Sequence, residues 1–397
     1  MSVTYPKGFR AAGITAGFKP SGLPDLGLLV GDPGTTAAGL FTTNRVAAAP
    51  VRVSKERLAT GAPRAVLVNS GQANAATGAR GARDAVRATA AAAALLALDP
   101  AQVLPCSTGV IGEPLHMDDL RSALPKAVAA LDHEGGGDFA RAIMTTDTVE
   151  KKASSDAGAV RVGGCAKGVG MISPNLATML VFVTTDASLT ASDLQVMADR
   201  ELKPRFNTLS VDACTSTNDT VLLFASGAAG EPSVAPGTPA GSALSEAVGS
   251  VADALLMQLA TDAEGGTHVL VIDVTGAASE GDARLASKGV ADSPLVKTAA
   301  FGGDPNPGRI LQAVGSCGAD VDSDRIDIAI GDVELVEGGV IAPAYFESAG
   351  LHEAAQTQMR GPEIAIRISL GDGPGRSRAL GCDLSYDYVR INGEYTT

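Results

Sequence analysis

Apolar positions recur along the chain in two rhythms, and their alternation predicts a layered fold of strands and helices. Residues 65–68 (AVLV) read as a buried strand, followed by the turn-rich segment 69–78 (NSGQANAATG) and a helix over 83–98. The order repeats where residues 103–104 lead into a second turn, 105–109 (PCSTG), ahead of a helix over 117–131. Two strand-to-turn junctions of this kind are common places for active-site backbone. Residues 178–185 (TMLVFVTT) follow a Gly-rich lead-in over 156–174 and read as a core strand with Thr178 at its head. In 242–264, Leu244, Val248, Val251, Leu255 and Leu259 fall three and four apart, which predicts an amphipathic helix ending at Glu264. Residues 268–274 and 363–370 read as strands, and 338–343 as an internal linker.

Composition narrows the function. The 397 residues are 45% hydrophobic and 19% charged, an ordinary globular balance, and length alone suggests two or three domains. A net charge of -13 without Lys or Arg clusters argues against nucleic acid as a partner. Cys106, Cys165, Cys214, Cys317 and Cys382 are odd in number and form no C-x-x-C pair, so they read as reduced. The four histidines, His116, His133, His268 and His352, are scattered, and no metal site is expected. The longest apolar run, 88–98, is about half the ~20 residues that span a bilayer, so no membrane is expected either. Residues 1–19 lack acids but are Gly-broken and poor in bases, which leaves a cytoplasmic protein as the expectation.

Common catalytic templates fail. No G-x-S-x-G elbow has a plausible acid and histidine behind it, and no G-x-G-x-x-G follows a strand. Residues 166–168 (AKG) imitate the end of a phosphate loop, but Val169 stands where a metal-binding hydroxyl is needed. What is left is Thr178. A threonine within a chain has no base of its own, whereas an N-terminal threonine carries an α-amine beside its hydroxyl, with an ordinary pKa of about 7.7 to 8.0. Taken alone, a threonine at a strand start is explained by β-propensity.

From Gly8 onward the sequence resembles the ornithine acetyltransferase family, also called the glutamate N-acetyltransferase family, of arginine biosynthesis. The resemblance is carried by GFRAAGITAGFK at 8–19, FTTNRVAAAPV at 41–51, CSTGVIG at 106–112, and IMTTDT at 143–148. It continues through AKGVGMISPNLATML at 166–180, STNDT at 216–220, DAEG at 262–265, and LVKTAAFGGDPNPGR at 295–309. It implies a precursor that cuts itself between Ala177 and Thr178 into an α chain (1–177) and a β chain (178–397). Two α and two β chains then form a heterotetramer. The implied fold is an α/β four-layer sandwich of two sheets between helices, similar to N-terminal nucleophile hydrolases with different connectivity. A smaller C-terminal α/β domain is expected from about residue 280.

The same resemblance implies the roles. Thr178 matches the nucleophile, and Thr108 with Gly109 the oxyanion hole. Thr145, Lys167, Glu264, Asn392 and Thr397 match substrate contacts. The substrates implied are N-acetylornithine as acetyl donor and glutamate as acceptor. No cofactor is implied, although some members also use acetyl-CoA as donor. Left to the residues alone, Lys167 reads as a surface lysine, Glu264 as a solvated helix end, and Thr397 as part of a frayed tail. Two departures bear on substrate choice: Pro307 stands where the common pattern has Trp, and Ala76 where many members have Cys. A threonine amidase or aminopeptidase, a variant serving a specialised-metabolite pathway, and an inactive scaffold are the competing readings.

Overall fold

The computed structural model describes residues 1–172, 179–347 and 349–394. The described residues form two compact units: Met1–Asn207 with Thr215–Leu259, and Thr208–Cys214 with Ala260–Glu394.

The first unit is built on two sheets. One has the strand order Phe9–Ile14, Leu26–Gly31, Ala65–Gln72, Val103–Val110. Its last two strands run parallel, from Ala65 opposite Val103 to Gln72 opposite Val110. A parallel pair needs a crossover, and the helix Gly78–Leu96 supplies it. The other sheet has the order Thr36–Phe41, Thr220–Ala225, Leu180–Thr185, Val160–Lys167, Lys151–Ala157.

Side-chain alternation decides how these sheets stack. Phe9, Leu29, Val66, Val68 and Leu104 of the first sheet share one buried cluster with Leu180, Phe182, Leu222 and Phe224 of the second, so the sheets face each other. Phe182 meets Phe139 edge to face at 5.1 Å within it. The opposite face of the first sheet (Leu26, Leu28, Leu67, Val103) is covered by Ala88, Ala92 and Ala93 of the crossover helix and by Leu120 and Leu124 of Met117–Ala129. Behind the second sheet lies the helix Pro239–Thr261: a Cβ on Gly164 would come within 2.9 Å of Val251 and 3.0 Å of Leu255. The unit is therefore a helix, sheet, sheet, helix sandwich, as expected. Leu180–Thr185 is buried at every position, which is why it reads as one apolar run without alternation. The helix Pro239–Thr261 is long and apolar enough to cross a membrane, but its apolar stripe is spent on this packing.

The second unit is a seven-stranded sheet in the order Val340–Ile341, Val333–Glu337, Asp327–Ile330, Glu363–Ser369, Val269–Ala277, Gly375–Cys382, Leu209–Ser210. Its Leu270, Ile272, Ile366 and Ile368 pack on Ala286, Val290, Val296, Ile310 and Val314 of the helices Glu280–Asp292, Pro294–Phe301 and Pro307–Ser316. Pro307, in the usual Trp position, occupies the first turn of its helix behind an Asn306 cap, a place where its fixed φ and missing N–H cost nothing.

Three sequence readings change. The expected turn at 105–109 is strand, because Val103–Val110 pairs with Ala65–Gln72 along its whole length as the edge of the sheet. For the same reason, the first turn starts after Gln72 and not at residue 69. The expected linker at 338–343 is a hairpin inside the second unit: Gly338 and Gly339 both have positive φ, +54 and +76, and join two antiparallel strands.

Phe182→Ala should lower unfolding free energy by about 3 to 5 kcal/mol, the usual loss for a fully buried phenylalanine. Urea denaturation measures it, and a loss below about 1 kcal/mol would contradict the face-to-face core.

Candidate active site

The parallel strand pair ends in a tight corner. Thr108 and Gly109 stand opposite Ser70 and Gly71, and both glycines have positive φ, +127 at Gly109 and +142 at Gly71. A Cβ on Gly109 would lie 2.2 Å from the Gly71 carbonyl carbon and oxygen, so only glycine fits. Asn218 ties this corner to the other sheet, donating from Nδ2 to the carbonyls of Ser107 (2.8 Å) and Ala73 (2.6 Å).

Lys167, the last residue of Val160–Lys167, is buried and donates to Thr108 Oγ1 at 3.2 Å. An ammonium has only donors, so it occupies a lone pair of the hydroxyl oxygen and leaves the Thr108 hydrogen free for another acceptor. Burying that ammonium requires compensating charge, and Asp147 provides it. One Asp147 oxygen accepts from Lys151 Nζ at 2.7 Å and from the Gly168 N–H at 2.8 Å, and the other accepts from the Thr145 N–H at 2.9 Å. The side chains of Lys151 and Asp147 are both 0% exposed. Burial pushes the Asp147 pKa up, but the ammonium groups of Lys167 and Lys151 and these hydrogen bonds outweigh it and hold the carboxyl below its ordinary range. Near them Lys19 is drawn down to about 8, by burial first and then by repulsion from Lys167, against the pull of Asp25.

A second carboxyl stands at the head of strand Thr220–Ala225. Asp219 is 0% exposed; its Oδ1 accepts the Met179 N–H at 3.0 Å, and its Oδ2 has no hydrogen-bond partner among the described residues. Burial pushes its pKa well above the carboxylate range, against the Met179 N–H, the charge of Lys167 and the hydroxyls of Thr42 and Ser216, which act the other way.

In the second unit, Asn392 of helix Tyr386–Glu394 donates from Nδ2 to Glu264 Oε2 at 3.1 Å and to the Tyr388 carbonyl at 3.1 Å. Gly265, with φ of +66, lets the Glu264 loop approach this helix: a Cβ there would lie 2.3 Å from Tyr388 N. The Tyr388 hydroxyl donates to Asp212 at 3.1 Å, and burial, then Asp212, raise its pKa.

The structure thus brings Thr108, Gly109, Lys167 and, through Asp147, Thr145 together in the first unit, and pairs Glu264 with Asn392 in the second. Ala177, Thr178 and Thr397 lie outside the described residues. Lys167 is buried and not the surface lysine its charge alone suggested. Sequence reasoning missed Asp147, Lys151 and Asp219; two of them stand inside the quoted segments IMTTDT and STNDT, where a charged residue reads as solvated.

Comparison with known proteins places this geometry in a family. The ArgJ family model matches residues 10–397. The arginine biosynthesis bifunctional protein ArgJ of Thermosynechococcus vestitus is 44% identical over 411 residues, covering 100% of this chain and 98% of that protein. The protein of that name from Methylococcus capsulatus is 47% identical over 399 residues, covering 98% and 95%. Among solved structures, the arginine biosynthesis bifunctional protein ArgJ of Bacillus halodurans matches with a TM-score of 0.50 and 36% identity, over 54% of this chain and 98% of that one.

Asp147→Asn should destabilise the protein at neutral pH by about 3 to 5 kcal/mol, because it removes the carboxylate from the fully buried Lys151–Asp147 ion pair. A carboxyl with a depressed folded pKa contributes stability above its unfolded pKa of about 3.9 and loses it as pH falls through the folded value. The gap between wild type and variant in urea midpoint should therefore shrink from pH 7 to about pH 3. A gap independent of pH would contradict the ion pair.

Proposed function

Because the chain belongs to the ArgJ family of arginine-biosynthesis acetyltransferases, we propose that it cuts itself before Thr178 and then moves acetyl from N-acetylornithine to glutamate through an acetyl-threonine. The observation that carries this reading is the Thr108–Gly109 corner. It offers a hydroxyl and a backbone N–H from adjacent residues, and Lys167 holds the hydroxyl oxygen from behind.

In the precursor, Thr178 Oγ attacks the Ala177 carbonyl, the amide nitrogen leaves with the hydroxyl proton as the free α-amine, and water hydrolyses the resulting ester to release the Thr178 hydroxyl and the Ala177 carboxylate. In the cut enzyme that amine takes the Oγ proton as Oγ attacks the acetyl carbonyl. Thr108 and Gly109 stabilise the tetrahedral oxyanion. Ornithine leaves with the proton, glutamate attacks the acetyl-threonine, and the threonine hydroxyl is restored. Lys167 suits a substrate carboxylate, and Glu264 a substrate ammonium. Thr145, Asn392 and Thr397 are the remaining proposed substrate contacts. The working form is a heterotetramer of two 1–177 and two 178–397 chains. Acetyl-CoA serves as a second acetyl donor, a reading supported by the word "bifunctional" in the names of the relatives.

Initial velocities with both amino acids varied should give parallel double-reciprocal lines, the mark of a covalent exchange, whereas intersecting lines would point to direct transfer. Thr108→Ala should lower kcat by roughly 10²- to 10³-fold, as removal of one oxyanion donor does, with little loss of thermal stability. An unchanged kcat would remove Thr108 from the oxyanion hole.

A further inference from the structure

One buried carboxyl takes no part in that mechanism. Asp219 is held rigidly: the Thr42 N–H donates to its carbonyl at 3.1 Å, and the Thr220 N–H that follows it donates to the Met179 carbonyl at 3.1 Å. Thr220 pairs with Leu180 in parallel, so the residues just before these two strand heads stand side by side. The Met179 N–H fixes Oδ1, and Oδ2 is left without a partner among the described residues in fully buried surroundings. Met179 N is bonded to the carbonyl carbon of residue 178, and standard bond lengths keep the nitrogen of residue 178 within about 4 Å of it. Cleavage turns that nitrogen from a peptide N–H with one hydrogen into an amine with further hydrogens to donate.

We propose that Asp219 is a positioning residue for the α-amine of Thr178, its uncommitted Oδ2 accepting the amine hydrogen that self-cleavage creates. The proposal rests on the reading of Thr178 as nucleophile. It deepens that reading by naming what orients the base. In the uncut chain, burial raises the pKa of the carboxyl. The charged group acting on it is Lys167, itself backed by Asp147, Lys151 and Lys19; the hydroxyls of Thr42 and Ser216 face it without completing a bond to Oδ2. Once cut, any proton on the carboxyl passes to the more basic amine; the resulting carboxylate stabilises the ammonium form and raises its pKa, and in the neutral amine the lone pair is turned to Oγ. In acylation the Oγ proton passes to the amine and from there to departing ornithine, while Asp219 exchanges no proton.

The test compares wild type with Asp219→Asn and Asp219→Glu by intact mass, thermal melting and the pH profile of kcat/KM for N-acetylornithine. The asparagine variant keeps an oxygen for the Met179 N–H but has no charge for the ammonium. It should fold and cut, with the acid limb of kcat/KM moved down by about one pH unit and a lower plateau, and glutamate should restore the limb. A cut asparagine variant whose limb does not move overturns the proposal, because a merely structural carboxyl would change stability and leave the limb in place. If asparagine leaves the chain uncut, a glutamate variant equally uncut though folded also overturns it, whereas cleavage restored by glutamate supports it. Wild type that is itself uncut would instead sink the nucleophile reading.

Discussion

A carboxylate shared between two buried ammonium groups is the constraint on which the proposed site depends. Asp147 lies between Lys151 and the charge of Lys167, and its remaining capacity is taken by the backbone of Thr145 and Gly168. Without that counter-charge, holding the Lys167 ammonium in the interior beside Thr108 would carry a large desolvation cost. The set also fixes three chain segments at once: the loop after helix Gly136–Ala142, the start of strand Lys151–Ala157, and the end of strand Val160–Lys167 with the glycine that follows it. Buried charge here stabilises little by itself, but it specifies where the segments must meet.

Around that charge cluster, glycine and amide chemistry set the geometry. Gly71 and Gly109 let two parallel strands close to a distance no side chain allows, and Asn218 then bonds the corner to the facing sheet. The result is a polar edge on a sandwich whose central cluster is apolar. The second unit follows the same plan on its own scale. A loop glycine, Gly265, brings Glu264 within hydrogen-bonding distance of Asn392 on the last described helix.

Much of this was legible in the sequence, and the failures have physical causes. The runs at 65–68 and 180–185 are apolar enough to be strands in any context, and Leu244 to Leu259 has helical spacing. Residues 105–109 and 69–72 look like turns because Pro, Ser, Asn and Gly favour turns in isolation. In the fold their small size suits a tight parallel ladder, and pairing partners distant in sequence overrode local preference. The two-residue strand Leu209–Ser210 is too short to carry any periodicity, so its membership of the second unit could not be read. Candidate chemistry was legible only through family resemblance. Lys167 and Asp147 become informative once burial is known, since an isolated charge in a sequence says nothing about whether it has a partner.

The central claim is that the polar corner serves a threonine freed by self-cleavage and acylated in turn. Intact-mass measurement of the purified protein, before and after adding N-acetylornithine, tests it most directly. The account predicts two polypeptides divided between Ala177 and Thr178, the larger of which becomes heavier by one acetyl group with donor and returns to its starting mass when glutamate is added. A single uncut chain, or cut chains that never gain the acetyl group, would contradict it.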